Sequence, residues 1–295
     1  MQDQDVLPAL DIYKSKALGA ALYGAELWGQ DNLPKLSTAE NNFIRALTGL
    51  PQSTPLLPML MDLGLRPIGR RIGLRSLLYW RRIWCSPELA HYKVALQEVL
   101  SLVGNRRIPW LTFVKKQLGL LGLAELWDTP TLICSLSKTA FKEIYCNYVM
   151  SCSYSGRAQG RLTMSFLDIK SHYFYESFLD RITPPHARQL YLKLRYGTLP
   201  LNSFNCRWSS STILTDKCQF CPDQVETTHH VFFFCPEYTT PRKKWIVPLC
   251  RSLGTMNYQT SLRILITDTG ELVVFGVSRF LLILWRIRAK KFGPK

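Results

Sequence analysis

Residues 218–235 read CQFCPDQVETTHHVFFFC, placing three of the chain's nine cysteines and two of its five histidines within eighteen positions. Cys218 and Cys221 form a Cys-x2-Cys knuckle, followed by eight residues to His230 and four more to Cys235. A Cys-x2-Cys pair bends the chain so that both thiolates face one cation. A His-x4-Cys pair puts the remaining two ligands about one helical turn apart. Zinc suits such a set, because it accepts three thiolates and an imidazole tetrahedrally without a geometric preference of its own. His229 is the rival imidazole, with spacing x7/x5 in place of x8/x4. Either Thr227 or Thr228 is placed to cap a short helix carrying the histidine. A closed set of three Cys and one His leaves no open coordination position. The expected Zn2+ is therefore structural, holding together a segment too small to fold on apolar burial alone.

Other chemistry is sparse. No Asp-Asp dipeptide occurs, and His91, His172 and His186 have no partner at catalytic spacing. Neither a Gly-rich phosphate loop nor a Gly-x-Ser-x-Gly elbow is present. The other cysteines, Cys85, Cys134, Cys146, Cys152, Cys206 and Cys250, are isolated in sequence and read as reduced thiols of an intracellular protein.

The chain has 295 residues, 37 Lys+Arg against 21 Asp+Glu and a net charge of +16, which points to a polyanionic partner. Its 47% hydrophobic content is enough for a substantial core and excludes simple disorder. The charge is concentrated in two blocks: +8 over residues 61–120 and +9 over residues 241–295, the remainder summing to −1. In the first block, Arg66, Arg70, Arg71, Arg75, Arg81 and Arg82 occur with no acidic residue between Leu63 and Pro87. Arginine suits planar, bidentate phosphate contacts and stacking on bases, and Tyr79, Trp80 and Trp84 supply aromatic faces nearby. Arg106, Arg107, Lys115 and Lys116 extend that surface. In the second block, Arg242, Lys243 and Lys244 border the knuckle, and Arg286, Arg288, Lys290 and Lys291 follow at the end. Phe232, Phe233 and Phe234 offer either a stacking face or core packing, and Trp245 is expected in the core.

The elements that must carry these residues read as helices. Ser37 and Thr38 offer N-caps for a helix reaching Leu47, ended by Gly49-Leu50-Pro51. A second helix runs from about Pro67 to Trp84, with Ile68, Ile72, Tyr79 and Ile83 on one stripe and the arginines on neighbouring ones. More helix is expected at 88–103, 109–121 and 136–151, then at His186–Tyr196, ending at Gly197. The Ser/Gly-rich stretch Tyr148–Gly160 reads as a domain boundary. Apolar runs at 212–214 and 272–277 leave room for a short strand pair. Leu272–Trp285 is too short for a span and is interrupted by Arg279, so it reads as a buried or interfacial helix. Three Asp in the first eleven residues argue against a secretory or mitochondrial leader. The expected location is nuclear or cytoplasmic, not secreted, with no membrane partner.

The segment Cys218-x2-Cys221, Glu226-Thr-Thr-His-His230, Cys235-Pro236, with Tyr238, Arg242 and Trp245, resembles the zinc-binding region near the C-terminus of non-LTR (LINE-type) retrotransposon reverse transcriptases. Leu194-Arg-Tyr-Gly-Thr-Leu-Pro-Leu201 is similar to the helix and loop preceding that knuckle. Leu22-Tyr-Gly-Ala-Glu-Leu-Trp-Gly29, Leu47-Thr-Gly-Leu-Pro-Gln-Ser-Thr-Pro55 and Asp62-Leu-Gly-Leu-Arg-Pro-Ile68 resemble the thumb-side region after the polymerase palm. The resemblance implies a mostly α fold: a helical thumb-like bundle at 1–150, a helical connection at 151–205, the zinc knuckle at 206–250 and a basic helical tail at 251–295. It also implies a nucleic-acid-binding fragment, contacting retrotransposon RNA, primer–template DNA or both. The candidate contacts are Arg66, Arg70, Arg71, Arg75, Arg81, Arg82, Arg242, Lys243 and Lys244. The palm's aromatic-x-Asp-Asp motif would lie upstream, so a truncated or separate fragment with no polymerase activity of its own is expected. Two other readings remain: part of an active RNA-directed DNA polymerase polyprotein joined to an upstream polymerase domain, or an interaction protein unrelated to transposition with a structural zinc site.

Overall fold

In a computed structural model the chain is described at residues 6–102, 108–155, 170, 172–206, 215–255 and 257–292. The fold is mostly helical, and among the described residues the only β pairing is two isolated bridges, Leu63 with Tyr175 and Lys217 with Val225. The contacts divide the chain into two compact units. One comprises residues 10–44 and 65–161, the other residues 1–9, 45–64 and 162–295. Residues 45–64 thus group with the C-terminal half of the chain. Residues 156–160 of the Ser/Gly-rich stretch lie outside the described residues, as do Arg106, Arg107 and the apolar run 212–214.

The first unit is organised around the arginine-rich helix Ile68–Cys85. Pro67 stands at its N-cap, where a missing N–H costs nothing and a missing side-chain cap would leave first-turn donors unsatisfied. Glu40, on the helix Leu33–Thr48, supplies that cap from outside: its Oε2 accepts the Ile68 N–H at 2.8 Å. The Tyr13 hydroxyl donates to Glu40 Oε1 at 3.1 Å, and the Tyr13 ring stacks on Phe43 at 4.2 Å. Burial raises the Glu40 pKa, opposed by the Ile68 N–H and by the charge of Arg71. Ile68, Ile72 and Ile83 are buried as the helical stripe requires, while Tyr79 is half-buried. Trp80 stacks parallel to Trp127 and edge-on to Trp84, in a core shared with Trp110, Val114, Ile133 and Phe141. The helices Ala90–Leu102, Pro109–Leu120 and Lys138–Ser155 enclose it.

The expected caps at Ser37 and Thr38 are a correction. The helix begins earlier, at Leu33, and Thr38 Oγ1 donates back to the Pro34 carbonyl at 2.9 Å from within it. A threonine hydroxyl satisfies itself equally well by i−4 back-bonding, so its type alone does not mark a helix start. The C-terminal end is as read, with Gly49 at φ 65°.

In the second unit, the helix Leu56–Asp62 delivers a fully buried carboxylate. Asp62 Oδ2 is 2.9 Å from Arg195 Nε and 3.1 Å from the Tyr196 hydroxyl, and its Oδ1 is 3.3 Å from Lys170 Nζ. Lys170 Nζ also reaches Glu176 Oε1 at 2.6 Å, so two carboxylates face two cations in one buried group. Burial works against the charged Arg195 guanidinium, but the Asp62 charge and hydrogen bonds more than offset it and leave its pKa raised. Burial, then the Asp62 charge, drives the Tyr196 pKa well up. Gly64, at φ 65°, permits this arrangement: a Cβ there would lie 2.8 Å from the Tyr175 nitrogen, beside the Leu63–Tyr175 bridge. Arg195 and Tyr196 end the helix Pro185–Arg195, close to its expected span.

The strand expected at 272–277 is also a correction, since those residues lie inside the helix Glu271–Phe292. Val273, Val277, Phe280, Leu284 and Arg288 are buried along it at spacings of three and four, so a helical stripe overrides the β-branched run. No helix among the described residues is long and apolar enough to cross a membrane.

Removing one member of a buried ion pair leaves an uncompensated charge. Asp62→Ala is expected to destabilise its unit by about 3–5 kcal/mol, read as urea-dependent hydrogen exchange of amides in the Pro185–Arg195 helix. Arg75→Ala, which removes an exposed pair with Glu26, should change stability by less than about 1 kcal/mol.

Candidate metal centre

The knuckle starts from a tight reversal of the chain. The Cys218 N–H donates to the Gln224 carbonyl at 2.7 Å, the Gln224 N–H to Cys221 at 2.9 Å, and the Glu226 N–H to Asp216 at 2.8 Å. The next segment turns into the metal site through Thr227, whose Oγ1 accepts the His230 N–H at 3.0 Å. Of the two threonines offered as caps, Thr227 does the work. His230–Phe234 then form one wide π-helical turn, closed by the Cys235 N–H donating to the His230 carbonyl at 2.8 Å. Pro236 opens the next short turn and prevents the wide one from continuing.

This path brings ligand atoms of Cys218, Cys221, His230 and Cys235 within 4.8 Å of one another. Thiolates about 2.3 Å from a tetrahedral cation lie about 3.8 Å from each other. The Cys235 sulfur is 3.9 Å from that of Cys218 and 3.8 Å from that of Cys221. His230 Nε2 is buried and without a hydrogen-bond partner, a condition that His229 Nε2 shares, so membership of the cluster is what distinguishes His230. His229 is not part of the cluster; its ring lies against Phe233 and Phe234. The four residues can therefore hold a metal ion.

Burial pushes the Cys235 thiol up to about 12 and raises Cys221 as well, so neither is a thiolate near neutral pH unless a cation stabilises it. Burial lowers the His230 pKa, which keeps its imidazole neutral and able to ligate.

Two charged residues fix this turn to the surrounding helices. Arg242, on the helix Thr239–Ser252, donates to the carbonyls of Phe232 at 2.7 Å and Cys235 at 2.6 Å, and its pKa is lowered by burial. Its guanidinium is thus committed inside the knuckle. Glu226 is buried, accepts the Asn202 N–H at 2.7 Å and pairs with Arg288 on the C-terminal helix. Arg288, one of the basic tail residues, is accordingly buried.

The other candidate contacts are distributed unevenly. Arg66 and Arg82 are exposed, as are Lys243 and Lys244, while Arg70 and Arg71 are half-buried. Burial lowers the Arg71 pKa against the opposing charge of Glu40. Arg75, Arg81 and Arg82 line a cleft of about 440 Å³ with Tyr79, Lys138 and Glu26. Arg75 reaches Glu26 at 3.2 Å, and Arg81 donates to the Leu136 carbonyl at 2.7 Å. Lys138 adds a cation to this cleft that helical periodicity did not identify, because it comes from a different helix. Phe232 is core, Phe234 is exposed, and Trp245 is half-buried against Phe275. Cys85 and Cys134, isolated in sequence, have sulfurs 2.8 Å apart, and burial followed by this contact pushes the Cys85 thiol up to about 11.

Comparisons with protein families, curated proteins and solved structures find no match to this chain.

If the four ligands act as one site, Cys218→Ser and Cys235→Ser should each reduce bound metal from about one ion per chain to near zero. Metal binding at neutral pH should release about three protons, one for each thiol ionised. Atomic emission and calorimetry in buffers of different ionisation enthalpy measure the two. Cys250→Ser, outside the cluster, should leave both unchanged.

Proposed function

We propose that this chain is a nucleic-acid-binding module of the thumb and zinc-binding type found in non-LTR retrotransposon reverse transcriptases, with Zn2+ as the structural ion of Cys218, Cys221, His230 and Cys235. Three thiolates and one imidazole are a donor set that suits zinc, and no position is left for a substrate or a water. The ion's contribution is to close the knuckle. The chain's own part is to grip RNA or primer–template DNA, and polymerisation would require carboxylates from an upstream palm.

The observation that carries this reading is the cleft on the Ile68–Cys85 helix, where Arg75, Arg81, Arg82 and Lys138 surround Tyr79 and only Glu26 opposes them. Guanidinium groups around an aromatic ring are suited to a phosphate backbone with bases alongside. The exposed Lys243 and Lys244 beside the metal centre provide a second basic surface. Contacts of this kind give sequence-tolerant affinity that weakens steeply with salt.

Fluorescence anisotropy with structured RNA and with primer–template over a series of salt concentrations tests the proposal. Affinity should fall linearly on logarithmic axes, and Arg82→Ala with Lys138→Ala should make the slope shallower by about 2. Metal-loaded protein that shows no salt-dependent binding would favour the interaction-protein reading. An intact aromatic-x-Asp-Asp motif in the same reading frame upstream would favour the polymerase polyprotein.

A further inference from the structure

The wide turn His230–Phe234 sorts its side chains onto two sides. His230, Val231 and Phe232 are buried, directed to the metal cluster and the core. His229, Phe233 and Phe234 instead meet a fourth ring, Tyr258, at the start of the helix Tyr258–Thr267. Tyr258 lies 5.1 Å from Phe233, 5.2 Å from Phe234 and 6.5 Å from His229, measured between ring centroids, and His229 is 5.1 Å from Phe234. These rings form one contiguous group, yet Phe234 is 50% exposed and Tyr258 52% exposed. A shallow depression of about 510 Å³ beside them is lined by His229, Asn257, Tyr258 and Gln259.

The composition of this surface narrows its occupant. Among the described residues its lining is two rings, His229 and Tyr258, and two amides, Asn257 and Gln259. Arg263 is exposed one turn beyond Gln259, on the same face of that helix. A flat heteroaromatic group with hydrogen-bonding edges and a linked phosphate matches rings, amides and a cation together. The Asn257 Oδ1 already caps the helix by accepting the Gln259 N–H at 2.9 Å, so the Gln259 amide and Arg263 are the polar groups that an apolar protein segment would leave unused. The surface belongs to residues 241–295 and their neighbours, the block that carries a net charge of +9.

We propose that His229, Phe233, Phe234 and Tyr258 form a stacking platform for an unpaired nucleobase, whose shape is maintained by the metal cluster on the other side of the same turn. This rests on the nucleic-acid reading and assigns it a base-contacting site distinct from the arginine cleft. Every base presents a π face, so stacking of this kind is tolerant of sequence and selective for single strands over duplex. The platform shares its turn with His230, one of the four residues that can hold the metal ion.

The test uses the full-length, metal-loaded protein and a single-stranded oligonucleotide, an otherwise identical oligonucleotide carrying abasic positions, and a duplex. Tyr258→Ala and Phe234→Ala, with metal content and melting temperature matched to the parent, should each weaken single-strand binding by about 5- to 100-fold. Their salt slope should be unchanged, because no phosphate contact is removed. Duplex and abasic binding should stay within about twofold of the parent, and Tyr258→Trp should restore single-strand affinity. Unchanged single-strand affinity in folded variants, with salt-dependent binding intact, overturns the platform and leaves the polyanion reading standing. An equal loss on duplex overturns it too, by showing that the rings only support the fold. Self-association of the parent relieved by Tyr258→Ala would assign the rings to a protein contact. Absence of any binding by the parent overturns the platform and the broader reading together.

Discussion

A carboxylate removed from water must be met by a cation and by hydrogen-bond donors, and the described residues of the second compact unit bury three, Asp62, Glu176 and Glu226. Asp62 joins the end of one helix to Lys170, Arg195 and Tyr196. Glu226 joins the knuckle to the Asn202 backbone and to Arg288 on the last long helix. Neither pairing is strong evidence of net stability, since charge burial costs roughly what the attraction returns. An alternative packing that separated either carboxylate from its partners would leave a bare charge in the interior.

The knuckle depends on this arrangement. A loop closed by a few backbone hydrogen bonds and holding three thiols within van der Waals reach has little apolar area of its own to bury. Glu226, immediately before the Thr227 cap, ties one side of the loop to the scaffold. Arg242 fastens the other by capping the carbonyls of the wide turn. The four candidate ligands are therefore presented on a frame set by buried charge, which brings their ligand atoms within 4.8 Å of one another. Rigid supporting contacts of this kind are usual around metal ligands and orient them as much as the ion does.

The sequence makes the metal ligands legible because they lie close together in the chain and because thiolate and imidazole spacing follows directly from turn geometry. The helix Ile68–Cys85 is equally legible from its apolar stripe and its proline, and the ends at Gly49 and Gly197 from the left-handed backbone that glycine permits. Local patterns identify elements but not partners. Asp62 and Arg195 are 133 positions apart, and nothing local in the sequence links them. Residues 272–277 show the complementary difficulty, because a short β-branched run fits a strand or a buried helix equally well until the helix extends to Phe292. Arg242 and Arg288 resemble surface cations in a basic block, and only tertiary packing shows that one caps a turn and the other neutralises Glu226.

That last distinction changes what the +16 charge means. Arg195, Arg242 and Arg288 contribute to the net charge, but their guanidinium groups are committed to carboxylates and carbonyls within the fold. Arg81 is partly committed in the same way, through the Leu136 carbonyl. Steering of a polyanion would follow the net charge, with a reach limited by screening to a Debye length of roughly 8–10 Å. Contact depends on the exposed subset, of which Arg66, Arg82, Lys243 and Lys244 are the clearest members. Under the proposed nucleic-acid reading, the chain would attract through its whole charge and hold through a minority of it, so counting arginines in the sequence overstates the number of phosphates available to it.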